Sequence, residues 1–286
     1  MKKKILLYAG IVVGLLVLSY AYVPQVLGGK IVNQSDISGW QGMSHEMMEW
    51  NAAHPDDQTA WTESMFGGRP TATIHASTKG DWTQNIYDFL LLGRRPATYL
   101  FISLLGAWLL MLALGIHPLV AVGGAIAVTF CSYNLQIIQV GHNTKMQALA
   151  FLPWVLAALI FTYNRALAGS GSAAPASPSA CHSERSRRIS WLPGTILGAA
   201  LFGLALSFQV KANHPQITYY LALLILIYVI VLVVSIWKKR LWGRFFTASA
   251  LLLVLGVSGI ATNAVKLLPT MEYTPYSMRG GSTAAS

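Results

Sequence analysis

The stretch Ile217 to Trp237, ITYYLALLILIYVIVLVVSIW, runs for 21 residues without a charged side chain. A bilayer's hydrocarbon core is about 30 Å thick, and a helix rising about 1.5 Å per residue needs about 20 apolar residues to cross it. Six further blocks of comparable length and character occur: Ile5 to Val23, Ala97 to Ile116, Leu119 to Ile138, Met146 to Tyr163, Leu192 to Gln209 and Phe245 to Val265. Backbone amides in lipid must be satisfied within the segment, so each block is expected to be a helix despite many β-branched residues. Barrel strands would alternate in polarity, and these runs are continuous. The expected fold is all-α: a polytopic bundle of about seven transmembrane helices.

Composition agrees. Over 286 residues the chain is 54% hydrophobic and 10% charged, with a mean hydropathy of +0.51, which is too apolar for a soluble domain of this length. The first block follows Lys2, Lys3 and Lys4 as a signal peptide would, but its apolar run exceeds a signal core, so an uncleaved helix is expected. Cys131 falls within the third block and Cys181 in a loop, so no disulfide framework is expected.

Basic residues orient the bundle. With the N-terminus cytoplasmic, short inner segments carry Lys2 to Lys4, then Arg165, Arg185, Arg187 and Arg188, then Lys238, Lys239, Arg240 and Arg244. The other face has fewer per length of chain, with Arg94 and Arg95 as mild dissenters. This bias accounts for much of the net charge of +10 and requires no nucleic-acid partner. Membrane lipids are the expected surroundings.

The segment 24–96 is the large extracytoplasmic loop of this scheme. It holds Asp36, Glu46, Glu49, Asp56, Asp57, Glu63, Asp81 and Asp88, leaving only Glu184 and Glu272 elsewhere. Trp40, Met43, Met47 and Trp50 recur at helical spacing and predict an amphipathic helix, with Ser38 and Gln41 as a capping box. After Trp61 to Phe66, the run Gly67, Gly68, Arg69, Pro70 predicts a turn. Residues 168–190, rich in Gly, Ser, Ala and Pro, are expected to be a flexible cytoplasmic insertion that carries no chemistry. The remainder is read as a single transmembrane domain, the N-terminal part of a longer protein, and no internal repeat supports a secondary transporter.

The unusual polar groups fall at one face. The turn after the third block contains His142, Asn143 and Lys145, and the turn after the fifth contains Lys211, His214 and Gln216. Tight turns need only small polar residues, so two that each carry a histidine and a lysine exceed what connection requires. With Asp36 in the same outer layer, the set suits transfer chemistry on a phosphorylated substrate presented at the membrane surface. Asp36 would act as a general base or hold a divalent cation, while Lys145, Lys211 and the histidines would neutralise the departing phosphate. Asn143, Gln216, His45, Glu46 and Arg69 are further candidates to bind substrate. Each has a plainer reading: lysines snorkel to the interface, His214 before Pro215 caps a helix end, and Asp36 is a solvated loop acid.

The segments NQSDISGWQG from Asn33, WTESMFGGRP from Trp61, GHNTK from Gly141, KANHPQITYY from Lys211 and EYTPYSMRG from Glu272 together resemble the N-terminal part of the YfhO-type membrane proteins of Bacteroidetes-like bacteria. The resemblance implies a GT-C glycosyltransferase architecture, with a first extracytoplasmic loop poised over a site for a polyprenyl-phosphate-linked sugar. It implies that Asp36 occupies the acidic catalytic position. A transporter or flippase without covalent chemistry is the competing expectation, and that class would place ionisable groups at mid-membrane rather than at helix ends.

Overall fold

The computed structural model describes residues 2–64, 67–74, 81–91, 93–168, 191–239 and 241–276. Among the described residues it is all-α apart from one ladder of two-residue strands, β1 (Trp61–Thr62) and β2 (Arg69–Pro70), which pair antiparallel with Trp61 opposite Pro70. The helices are α1 (Lys2–Tyr22), α2 (Ser35–Ala53), α3 (Gln84–Leu90), α4 (Ala97–Ala113), α5 (Pro118–Thr129), α6 (Ser132–Val140), α7 (Asn143–Leu167), α8 (Leu192–Lys211), α9 (Pro215–Ile236), α10 (Trp242–Ala261) and α11 (Ala264–Tyr273). Five of them, α1, α7, α8, α9 and α10, are long and apolar enough to cross a membrane, as a multi-pass membrane protein requires. The insertion expected over 168–190 lies outside the described residues beyond Ala168, as do Cys181 and Glu184.

The third apolar block is not one straight helix. It breaks between α5 and α6 with a bend of 47°, and Cys131 sits in extended backbone at the break rather than within a helix. Asn134 makes the break tolerable: its amide donates to the carbonyls of Val128 and Thr129 at 3.1 and 3.2 Å, groups that the end of α5 leaves without helical partners. The seventh block likewise ends early. α10 stops at Ala261, Asn263 turns the chain, and α11 starts anew at Ala264.

α7 is the central pillar, packed most extensively on α8 and α4, while α10 packs on α8, and α1 and α5 on α4. Its core side includes Val155, Leu159 and Tyr163, with Phe202 and Leu206 of α8 and Phe245 and Leu252 of α10. α8 and α10 approach at their glycines: a Cβ on Gly259 would lie 2.1 Å from the Gly203 carbonyl oxygen. Small residues permit such backbone contact between apolar helices. Gly259→Leu is therefore expected to lower stability by at least about 1–3 kcal/mol through overpacking, read as a lower unfolding temperature in detergent. Gly243→Ala, where an added Cβ meets nothing within 4 Å, is not expected to lower it.

α2 exists as predicted but begins at Ser35, three residues before the expected cap. The Ser38 hydroxyl bonds back to the Gln34 carbonyl at 3.4 Å, so Ser38 is inside the first turn. Of the apolar face expected of α2, Met47 is buried, Trp40 is half-buried, and Met43 and Trp50 are exposed. The start of α4, α7 and α9 and the end of α8 share one face with the segment 24–96, called here the loop face.

Candidate functional site

Asp36 lies in the first turn of α2, where a carboxylate faces the positive end of the helix dipole. Its Oδ2 is 2.6 Å from Nδ1 of His142. Both are accessible, with side chains 42% and 51% exposed, so a substrate can reach them. His142 precedes α7 directly and follows Gly141, whose φ of +107° a side chain would strain. A Cβ on Gly141 would also come within 3.0 Å of Gln34 and 3.1 Å of Asp36, so the bare glycine lets α2 dock on the turn between α6 and α7.

Sequence reading missed the device that fixes this docking. Gln34 and Asn143 exchange amide hydrogen bonds at 3.2 and 3.3 Å, Gln34 also donates to the Ile138 carbonyl, and the Ser35 hydroxyl donates to Val140. Asn143 is buried in doing so. Asn143 thus aligns the start of α2, and through it Asp36, with His142. A hydrogen on Nδ1 donates to the carboxylate and leaves Nε2 as the basic nitrogen, an arrangement suited to proton transfer.

The second turn stands beside the first. Ala148 of α7 packs with Ala212 of the α8–α9 connection and Ile217 of α9, and His214 is close enough to Lys145 and His142 to respond to their charges. Burial first, then Lys145 and His142, holds His214 below the ordinary histidine value against an opposing backbone interaction. It is thereby disposed to be neutral, a hydrogen-bonding group rather than a cation. Lys145 lies over the Tyr133 ring at 5.0 Å, and Gln216 donates to the Tyr220 hydroxyl at 3.0 Å.

Lys211 is turned elsewhere. It is buried and ion-paired with Asp81, donates to Gln84 at 3.1 Å and lies 5.5 Å from the centre of the Tyr87 ring. Asp81 is the second residue that sequence reading missed, although the run Asp81, Trp82, Thr83 ahead of α3 carried a signal: Asp81 accepts from the Thr83 amide and hydroxyl at 2.9 and 2.6 Å. Burial alone would raise the Asp81 carboxyl, but the Lys211 bond and charge, with the Thr83 bonds, outweigh it and hold it below the ordinary carboxylate range. The Thr83 hydroxyl continues to Ser207 at 3.2 Å, and Ser207 to Thr262 at 2.7 Å. This chain of hydroxyls fastens α3 to α8 and α10.

The remaining candidates cement the loop. Glu46 accepts from the Thr62 hydroxyl and the Ser64 amide, tying α2 to β1. His45 pairs with Glu49 one turn on, both exposed, and Arg69 donates to Thr73 at 2.8 Å. Arg94, one of the dissenters from the charge bias, donates to the Val26 and Leu27 carbonyls and has a structural task. Among the described residues no group of three or more His, Cys, Asp or Glu is arranged to hold a metal ion.

Beside the two turns a polar pocket of about 420 Å³ opens, lined by Thr144 and Gln147 of α7, Gln84, Tyr87 and Asp88 of α3, and by Arg95, Lys211, Asn213 and Lys266. The Tyr87 hydroxyl donates to Gln147, which donates to the Tyr99 hydroxyl at 2.9 Å; burial above all pushes Tyr87 up, so it stays a donor. Burial and the Lys211 charge hold Lys266 below the ordinary lysine value, with Asp81 pulling the other way. Compared with known proteins, the chain matches no family model, no curated protein and no solved structure. On its own structure it is an all-α protein of several membrane-length helices, with an accessible carboxylate–imidazole pair and a cationic pocket on one face.

Proposed function

We propose that the chain is a membrane-embedded transferase of the GT-C kind, moving a sugar from a polyprenyl-phosphate donor to a cell-envelope acceptor. The observation that carries the reading is the Asp36–His142 pair, held at the loop face by the Gln34–Asn143 clamp. The pair accepts the proton of an acceptor hydroxyl as its oxygen attacks the sugar's anomeric carbon. The bond to the phosphate oxygen breaks, and the lipid phosphate leaves with the electron pair, inverting the centre. Cations of the loop face, Lys145, Arg95 and Lys266, stabilise that leaving charge, and His214 contributes a hydrogen bond. Lys211, already neutralised by Asp81, shapes the pocket more than it adds charge.

Seven spans fit this reading if α4 and the bent pair α5–α6 cross with the five long helices. The N-terminus then lies in the cytoplasm and the loop face outside a bacterial inner membrane, because Lys2 to Lys4, Arg165, Lys238, Lys239 and Arg244 gather at the opposite face. The broken span gives a transporter no support: from Pro118 to Val140 it has no acidic or basic residue and no histidine. The test is turnover of a labelled polyprenyl-phosphate hexose by the full chain in vesicles, with an envelope extract as acceptor. Release of free polyprenyl phosphate with transfer of label is expected; an intact donor, with normal insertion, would count against the reading.

A further inference from the structure

Two cavities meet α3 from opposite sides. The polar pocket lies against Gln84, Tyr87 and Asp88. Against Ile86 and Leu90 lies an apolar groove of about 480 Å³ between α4, α7 and α8, a volume within the range of about 300–1,000 Å³ usual for ligand sites. Every lining side chain is hydrocarbon or aromatic. The lining descends α7 from Phe151 through Trp154 to Phe161, which at about 1.5 Å per residue is about 15 Å, half of a hydrocarbon core of about 30 Å. The groove is therefore a slot parallel to the helices, aligned as lipid chains are. Apolar cavities do not hold water, and at this depth the abundant apolar occupant is a lipid chain.

A single side-chain layer divides the two cavities. The Tyr87 ring packs on Phe151 and Phe208 at 5.8 and 5.7 Å, both of which line the groove, while its hydroxyl bonds to Gln147 in the pocket. In the pocket Lys211 is matched by Asp81. Arg95 and Lys266 face it without an ion-pair partner among the described residues, and Asp88 is the opposing charge. The excess is one positive charge.

The geometry points to a bipartite lipid site: the phosphate of a lipid rests in the pocket against Lys266 and Arg95, and its chain lies in the groove, with Tyr87 as the wall around which head and chain join. This deepens the transfer reading by locating its donor, and rests on that reading for the isoprenoid nature of the chain. It singles out one residue that the transfer step alone would not identify: Tyr87, in the loop helix α3.

The test irradiates membranes containing the full chain with an isoprenyl monophosphate that carries a diazirine on its chain, and maps the label by mass spectrometry. Label is expected on Phe161, Leu201 and Leu112. Combining Lys266→Gln with Arg95→Gln should cut it about tenfold or more, as loss of charge-assisted bonds to phosphate would, and the isoprenyl alcohol should label the groove as weakly in the unaltered protein. Lys266→Arg with Arg95→Lys should restore it, which separates lost charge from lost folding. Label confined to the lipid-facing surfaces of α1 and α9, or groove label indifferent to the head group and to both cations, overturns the site. Groove label without sugar transfer supports the site and sinks the transfer reading, whereas transfer without groove label sinks the site alone.

Discussion

Asp36→Asn should reduce sugar transfer about 10²-fold or more, the loss expected when a general base is removed, while the protein inserts and accumulates normally. The structure separates these effects. Asp36 and His142 are 42% and 51% exposed, so their surface contact contributes at most about 0–1 kcal/mol to stability, and the carboxylate's position in the first turn of α2 adds a similar amount at most. Asparagine keeps the size and most of the hydrogen bonding. A large loss of transfer at normal abundance would therefore report chemistry and not folding. Glu49→Gln, on the exposed face of the same helix, should leave transfer unchanged; the comparison is made by initial rates in vesicles with matched protein amounts.

The second large effect is on stability. Asp81 and Lys211 have side chains 8% and 2% exposed, so removing either partner leaves a buried charge uncompensated. Asp81→Asn or Lys211→Met should each destabilise by about 3–5 kcal/mol, whereas Asp81→Leu combined with Lys211→Met should come back towards the unaltered protein. The pH dependence follows from the depressed Asp81 carboxyl. A carboxylate whose folded pKa lies below its unfolded value of about 3.9 stabilises fully above that value and loses its contribution as pH falls through the folded one. The gap in unfolding temperature between the unaltered protein and Asp81→Asn should stay constant from about pH 5 upward and close only below about pH 4. A gap that opens or closes near pH 6–7 would show that another group governs this latch.

Much of the architecture was legible because hydrocarbon thickness dictates block length. The run from Ile217 to Trp237 contains all of α9 but its first two residues, and the Arg165 end of α7 and the Lys238 end of α9 fall on one face as the charge bias requires. What block length could not show was where a helix breaks. The Phe130–Cys131 break depends on Asn134 reaching back to two carbonyls, a tertiary satisfaction invisible to hydropathy. The start of α2 was misplaced for a related reason: Ser38 and Gln41 matched a local capping pattern, but Gln34 and Asn143, 109 residues apart, fix the helix through the turn they share.

The candidate site was legible to the extent that local chemistry marks it. Two turns rich in histidine and lysine pointed to one face, and His142 does stand against Asp36. Lys211 looked equivalent to Lys145 in sequence, yet its partner, Asp81, comes from the far end of the loop, and nothing local distinguishes a buried matched lysine from an exposed one. Lys266 follows the last apolar block, Phe245 to Val265, directly, and read as one more basic residue of the outer face. It came into view only once the chain turned at Asn263 and carried it to the pocket.

The central claim, that Asp36 and His142 act as one unit in transfer, is tested most directly by a double-mutant cycle on the initial rate with labelled polyprenyl-phosphate hexose. Asp36→Asn, His142→Ala and the combined variant are compared with the unaltered protein. Groups that act together are strongly non-additive, so the combined variant should be no slower than the slower single variant, within about a factor of three. Losses that multiply would show two independent residues and contradict the account, and so would full activity in Asp36→Asn.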